Sequence, residues 1–188
     1  VFSSCKLIDY VVLVMPQAAV DEMREDWLKK YDIVREVVAG GEQRQDSVYN
    51  GFNSLENGTD IVVVHDGVRP FTTSKMITAT VEEAEKHGAA IAAIPVSDTI
   101  KHVVDSFVKE TISRVGLWRV QTPQAFDYRL LEQAFKKAKK DSYYGTDEGA
   151  LIEYLGAQVK IVQGSELNIK ITRKEDLVLA ESLLSSIK

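Results

Sequence analysis

A few charged side chains and a double glycine are the parts of this sequence that could do chemistry. In VVVHDGVRPF (62–71) a β-branched run stops at His65 and Asp66, and Arg69 and Pro70 follow. A carboxylate and a guanidinium just past an apolar strand stand where open α/β sheets bind ligands, beyond the strands' carboxyl ends. The local alternative is that Asp66 caps a turn, Arg69 pairs with it and Pro70 stiffens the loop. GGEQRQDSVYNG (40–51) follows another strand-like run. Its glycines let a ligand approach the backbone closely. Ser47 lies near the start of the next helix, where free N–H groups favour an anion or a polar base edge. A plain turn with an N-cap explains the same residues. In NIKIT (168–172) Lys170 stands between two isoleucines. Read as a strand, Ile169 and Ile171 share one face and Lys170 takes the other, by default into solvent. SRVGLWRVQTPQAF (113–126) holds Arg114, then Trp118, which reads as core packing.

Several chemistries are disfavoured. The three histidines, His65, His87 and His102, have no metal-ligand spacing, and His65 reads as a satisfied structural histidine. There is no P-loop, no G-x-G-x-x-G and no G-x-S-x-G elbow, which argues against a dinucleotide dehydrogenase and an α/β-hydrolase. The net charge of −5 disfavours nucleic-acid binding through a basic surface. A few placed cations could still hold a small anionic substrate. Cys5 is the only cysteine, so neither an intramolecular disulfide nor a cysteine zinc site can form. No apolar run is long enough to span a membrane. A cytoplasmic location fits these features, with a plastid left open. The chain opens without Met on VFSSCKLIDYVVLVMP, which leads us to expect that the natural N-terminus lies upstream.

The elements that must position these groups alternate. YVVLVMP (10–16), DIVREVVAGG (32–41), IVVVHD (61–66), AAIAAIPV (89–96) and QVKIVQG (158–164) read as strands, several of them buried on both faces. Helices are expected over 19–31, 44–55, 73–88, 127–140, 146–156 and 172–187, with Gly88 as a C-cap. The alternation predicts a three-layer α/β fold with a largely parallel sheet, as one domain over 1–188. DTIKHVVDSFVKETISRVG (98–116) breaks the rhythm. Its two short β-like pieces around a polar turn predict a hairpin that projects as an arm.

GGEQRQDSV, VVVHDGVRPF, IPVSDTIK, GLWRVQTPQAF, TDEGALIEYLG and GSELNIKITRKEDL occur in one order. That series resembles the 2-C-methyl-D-erythritol 4-phosphate cytidylyltransferase family of non-mevalonate isoprenoid biosynthesis, over about residues 40–182. The resemblance implies a Rossmann-like nucleotidyltransferase that couples CTP to a sugar-alcohol phosphate and releases pyrophosphate, with Mg²⁺ held mainly by the CTP phosphates and no side-chain metal ligand. It implies a homodimer whose hairpin arms reach the partner's site. Carried over by residue, Gly41, Glu42 and Ser47 would meet the cytidine, and Asp66 the polyol hydroxyls or the ribose. Arg69 and Thr99 would reach the methylerythritol phosphate, Thr146 the same pocket, and Arg114 with Lys170 would position the attacking phosphate. Two anions must meet in such a reaction, so positioning and charge neutralisation dominate. Arg suits bidentate phosphate binding, and Lys supplies a mobile point charge. The family's first strand carries a Gly-rich loop with an Arg and a downstream Lys, and nothing here matches them, so only part of that site is expected. A sibling acting on ribitol 5-phosphate shares the HD-x-x-RPF and TPQ elements. A non-catalytic nucleotide-binding domain is the reading from a different class.

Overall fold

A computed structural model describes residues 1–187. After a short turn at Phe2–Ser4 come β1 (Val11–Met15), α1 (Gln17–Lys30), β2 (Val34–Ala39) and α2 (Arg44–Asn53). β3 (Ile61–Val64), α3 (Ser74–His87) and β4 (Ala89–Pro95) follow, then the hairpin strands β5 (Ile100–Val104) and β6 (Phe107–Ile112). β7 (Trp118–Asp127), α4 (Tyr128–Lys140), α5 (Glu148–Leu155), β8 (Lys160–Gln163) and α6 (Lys174–Ile187) complete the chain.

Local sequence explains the helix boundaries. The Thr73 hydroxyl accepts from the Met76 N–H at the start of α3, and Gly88 ends it at φ 82°. That is the expected glycine C-cap, in a conformation that costs glycine little. Asp127 and Asp147 accept from Leu130 N–H and Ala150 N–H, opening α4 and α5.

The sheet order is β3-β7-β4-β8, with β8 parallel to β4. β7 lies antiparallel between β3 and β4, so those two run parallel to each other. β1 and β2 form a second, parallel pair. Two apolar layers cover the main sheet. One face packs on Phe52, Leu131, Phe135, Leu151 and Ile152 from α2, α4 and α5. The other packs on Ile77, Val81 and Ala84 from α3. This is the expected three-layer Rossmann-like arrangement, with one antiparallel strand that the sequence reading did not assign.

Burial on both faces holds for β4, where Ala89 to Ile94 are all buried. It fails for β1, whose Val14 is 38% exposed. β1 and β3 are not paired with each other, and an open cleft of about 1180 Å³ lies between them. Gly40, Gly41, Arg44, Ser47, Asp66 and Gly67 line it too, past the carboxyl ends of β2 and β3.

The hairpin forms as expected, with a tighter turn. Only Asp105 and Ser106 connect β5 to β6, both in the left-handed region at φ 49° and 66°. A two-residue turn of that kind matches the twist of paired strands.

Candidate active site

Asp66 is the centre of the charged group. It follows β3, and its N–H donates to Thr122 Oγ1 on β7 at 3.0 Å. Its side chain is only 14% exposed and meets three cations: Lys170 Nζ at 2.9 Å, Arg44 Nη2 at 3.4 Å and Arg69 Nε at 3.5 Å. Burial alone would push the carboxyl up, but Lys170, Arg44 and Arg69 outweigh it and hold Asp66 below the usual carboxylate range. The two sequence readings of Asp66 and Arg69 therefore coexist. The Arg69 N–H closes a turn onto the Asp66 carbonyl at 2.9 Å, the side chains pair at 3.5 Å, and Asp66 also lines the cleft.

Arg44 links Asp66 to a second carboxylate. Its Nη1 donates to both Glu148 oxygens, at 2.8 and 2.9 Å. The Glu148 side chain is 1% exposed, and burial raises its pKa against the pull of Arg44. Burial works to lower the Arg44 pKa, but its two carboxylates outweigh that and raise it. Three cations face two carboxylates here, which leaves one positive charge in a protein of net charge −5. Local charge, not the total, makes the site a place for an anion.

His65 is the satisfied structural histidine that the sequence suggested. One ring nitrogen lies 3.2 Å from the Arg69 carbonyl and the other 3.1 Å from Thr122 Oγ1. A carbonyl only accepts, so Nε2 carries the proton and Nδ1 accepts from the Thr122 hydroxyl. Burial lowers the imidazole pKa and keeps it neutral.

The double glycine turns the chain from β2 into α2. The Gly41 N–H donates to Ser47 Oγ at 3.0 Å, and that hydroxyl donates to the Gln43 carbonyl at 3.1 Å. A Cβ on Gly41 would lie 2.4 Å from the Asp46 Cβ, so the close fold-back requires glycine. Gln43 and Asp46 form a capping box at the start of α2. Gly41 and Glu42 are exposed and Ser47 is half-buried; Gly41 and Ser47 line the cleft.

The remaining candidates lie further out. Thr146 is exposed, just before the Asp147 cap of α5. Thr99 is exposed, immediately before β5. Arg114 sits at the base of the hairpin, donates to the Ser97 carbonyl, and forms neither a hydrogen bond nor an ion pair with Asp66 or Lys170 among the described residues. Within one chain the described residues thus join Asp66, Arg69 and Lys170 and leave Arg114 out.

Two local readings change. NIKIT is not a strand: residues 168–173 form an irregular loop, and Lys170, still 40% exposed, pairs with Asp66. Asn168 holds that loop. It is fully buried, and its amide donates to the Thr122 carbonyl at 2.8 Å and to Gln121 Oε1 at 3.3 Å. Trp118 is not core packing either, because it starts β7 at 40% exposure.

Sequence reading missed Arg44, Glu148 and Asn168. Arg44 sat inside GGEQRQDSV, and Glu148 inside TDEGALIEYLG, but neither has a periodicity that marks it. An acidic residue in a first helical turn reads as a partner of the helix dipole. Its burial becomes visible only when α5 is packed.

Comparison with known proteins agrees with this geometry. The family profile of 2-C-methyl-D-erythritol 4-phosphate cytidylyltransferase matches residues 1–186. The enzyme of that name from Syntrophus aciditrophicus is 47% identical over 181 residues, which cover 95% of this chain and 77% of that protein. The one from Clostridioides difficile is 44% identical over 182 residues, covering 96% and 77%. Among solved structures, the 4-diphosphocytidyl-2C-methyl-D-erythritol synthase of Anaerococcus prevotii is 34% identical, covers 97% of this chain and 84% of that chain, and superposes with a TM-score of 0.88. The 2-C-methyl-D-erythritol 4-phosphate cytidylyltransferase of Thermus thermophilus is 30% identical, covers 97% and 85%, and gives a TM-score of 0.82. The chain belongs to the 2-C-methyl-D-erythritol 4-phosphate cytidylyltransferase family.

Proposed function

We propose that this protein transfers CMP from CTP to 2-C-methyl-D-erythritol 4-phosphate, with Asp66, Arg69 and Lys170 at the reacting end of its cleft. One observation carries the assignment of these residues: Lys170 Nζ lies 2.9 Å from Asp66, which follows β3 and lines the same cleft as the double glycine. A phosphate oxygen of the sugar-alcohol phosphate attacks the α-phosphorus of CTP. The new P–O bond forms as the bond to the β-phosphate oxygen breaks, and pyrophosphate leaves with that electron pair. The nucleophile is already an anion, so no general base is needed. Lys170 and Arg69 offset the repulsion between the two phosphates, and Asp66 keeps both cations aimed before substrate arrives.

Gly41, Glu42 and Ser47 read the cytosine edge at the mouth of the cleft. Thr146, exposed ahead of α5, belongs with Arg69 and Thr99 to the pocket for the methylerythritol phosphate. Thr99 and Arg114, on the exposed hairpin, serve the site of a second subunit in a homodimer. Residues 1–188 act as one nucleotidyltransferase domain with the arm at about 98–116, and we place it in the cytoplasm.

The residues present do not fit a protein-held metal ion. Among those described, no three His, Cys, Asp or Glu side chains cluster as ligands, and Asp66 is already committed to three cations. Mg²⁺ therefore enters as part of the CTP substrate, on its phosphate oxygens.

The test is pyrophosphate release by the intact protein with CTP and Mg²⁺, comparing methylerythritol phosphate with ribitol 5-phosphate. Release with the first and little with the second is expected. Faster use of ribitol phosphate would reverse the assignment, and background release with both would mark a binding domain.

A further inference from the structure

Glu148 is too buried to touch a substrate, at 1% side-chain exposure, yet it is joined to the reacting group through one guanidinium. Arg44 divides itself unevenly. Nη1 gives Glu148 two short bonds, at 2.8 and 2.9 Å, whereas Nε and Nη2 stand 3.4 Å from Asp66 Oδ1. The other Asp66 oxygen is taken by Lys170 at 2.9 Å. Arg44 thus sits on one oxygen of Asp66 and Lys170 with Arg69 on the other, and the two short bonds to Glu148 keep Arg44 from spanning both. An arginine freed from Glu148 can place its planar fork on both oxygens of Asp66. Lys170 then loses its anchor.

We propose that Glu148 is a positioning residue for cytidylyl transfer: by binding Arg44 it reserves Asp66 for Lys170. This rests on the functional reading above. It assigns work to a pair 104 residues apart that ties α5 and α2 to the end of β3. It also explains why a carboxylate is retained in a buried position where burial alone disfavours it.

Glu148→Gln keeps the shape and removes the charge. With CTP and methylerythritol phosphate, kcat should fall tenfold or more, the scale expected of lost positioning, while KM for CTP stays within threefold. A purely structural Glu148 would instead lower the melting temperature and leave kcat intact in the folded fraction. The decisive comparison uses Arg44→Met, alone and combined with Glu148→Gln. If Glu148 acts only through Arg44, adding Glu148→Gln to Arg44→Met changes kcat by less than twofold. This comparison does not require the single Glu148→Gln protein to be stable. A tenfold further loss in the Arg44→Met background overturns the proposal, as does normal kcat in Glu148→Gln. If the unsubstituted protein releases no pyrophosphate, the functional reading fails and takes this proposal with it. Normal release with an unaffected Glu148→Gln protein sinks this proposal alone.

Discussion

Lys170 shows how little a side chain's own surroundings say about its task. By period it faces away from two isoleucines and into water, but in the folded chain it meets a carboxylate from another strand end. Lys170→Ala should lower kcat by about 100-fold or more, the scale of lost positioning and charge stabilisation at a reacting centre. Steady-state kinetics would check this, and near-normal turnover would return Lys170 to the surface. Arg44 makes a different prediction, about stability. Arg44→Leu leaves Glu148 buried without its cation, which should cost about 3 kcal/mol at neutral pH. Glu148 already has a raised pKa, so it contributes most to stability when protonated, below its unfolded pKa, and that contribution is lost as pH rises through its folded pKa. The variant's deficit should therefore shrink as pH falls, because loss of Arg44 raises the carboxyl's pKa further and it takes up a proton. Asp66 has the opposite sign. Its pKa is depressed, so its contribution is present above its unfolded pKa and lost as pH falls through the folded one. Urea titrations at several pH values, on both proteins, would separate the two; a deficit that does not change with pH would contradict the account of Glu148.

At the scale of elements, the turn from β2 to α2 is the most exacting piece of the site. Gly41→Ala would press a methyl into Asp46, at 2.4 Å from its Cβ and 3.2 Å from its backbone carbon. Overpacking of this kind should cost about 1–3 kcal/mol. It should also disturb the Gly41–Ser47 bond, so CTP affinity by calorimetry should weaken more than kcat falls. Unchanged CTP affinity would separate this turn from the nucleotide. The turn was legible beforehand because a double glycine after a β-branched run has few other uses. β3, β4 and the Gly88 cap were legible for similar reasons: their signals are local. β7 was not. Its first residues, Trp118 to Val120, are exposed, and its remainder, Gln121 to Phe126, is buried, so neither alternation nor a uniform apolar run marks it. The Lys170 loop was missed because it is fixed by Asn168, Gln121 and the Thr122 carbonyl, long-range bonds with no period. Asn168→Ala removes two of those bonds from a fully buried site and should cost about 1–3 kcal/mol. It should lower kcat as well, because Lys170 lies two residues on. Thermal melts with kinetics would check both, and a stable variant with normal kcat would detach the loop's anchor from Lys170's position.

The whole molecule leaves one large feature uncovered. Strands β5 and β6 and the turn after them carry Val103, Val104, Phe107, Val108 and Val115 into solvent, with Phe107 at 78% exposure and Val115 at 89%. Exposed apolar side chains gathered on one hairpin suit an interaction surface. The same arm carries Thr99 and Arg114, two of the proposed site residues that do not join the Asp66 group within one chain. The proposed homodimer would account for both facts at once, with the arm packing its apolar side chains on a second copy and delivering Arg114 to that copy's Asp66–Lys170 group. Replacing Asp98 to Gly116 with a short Gly-Ser linker should give a monomer by light scattering. It should also lower kcat by at least as much as Arg114→Ala alone, because the linker removes Arg114 and the contact that places it. Mixing should separate assembly from chemistry. Arg114→Ala and Lys170→Ala proteins, each nearly inactive, should regain about a quarter of normal activity per site when subunits exchange, since half the chains then pair into dimers with one intact site. No recovery from a mixture shown to exchange would place Arg114 in the site of its own chain. An unchanged dimer after removal of the hairpin would assign the interface to another face.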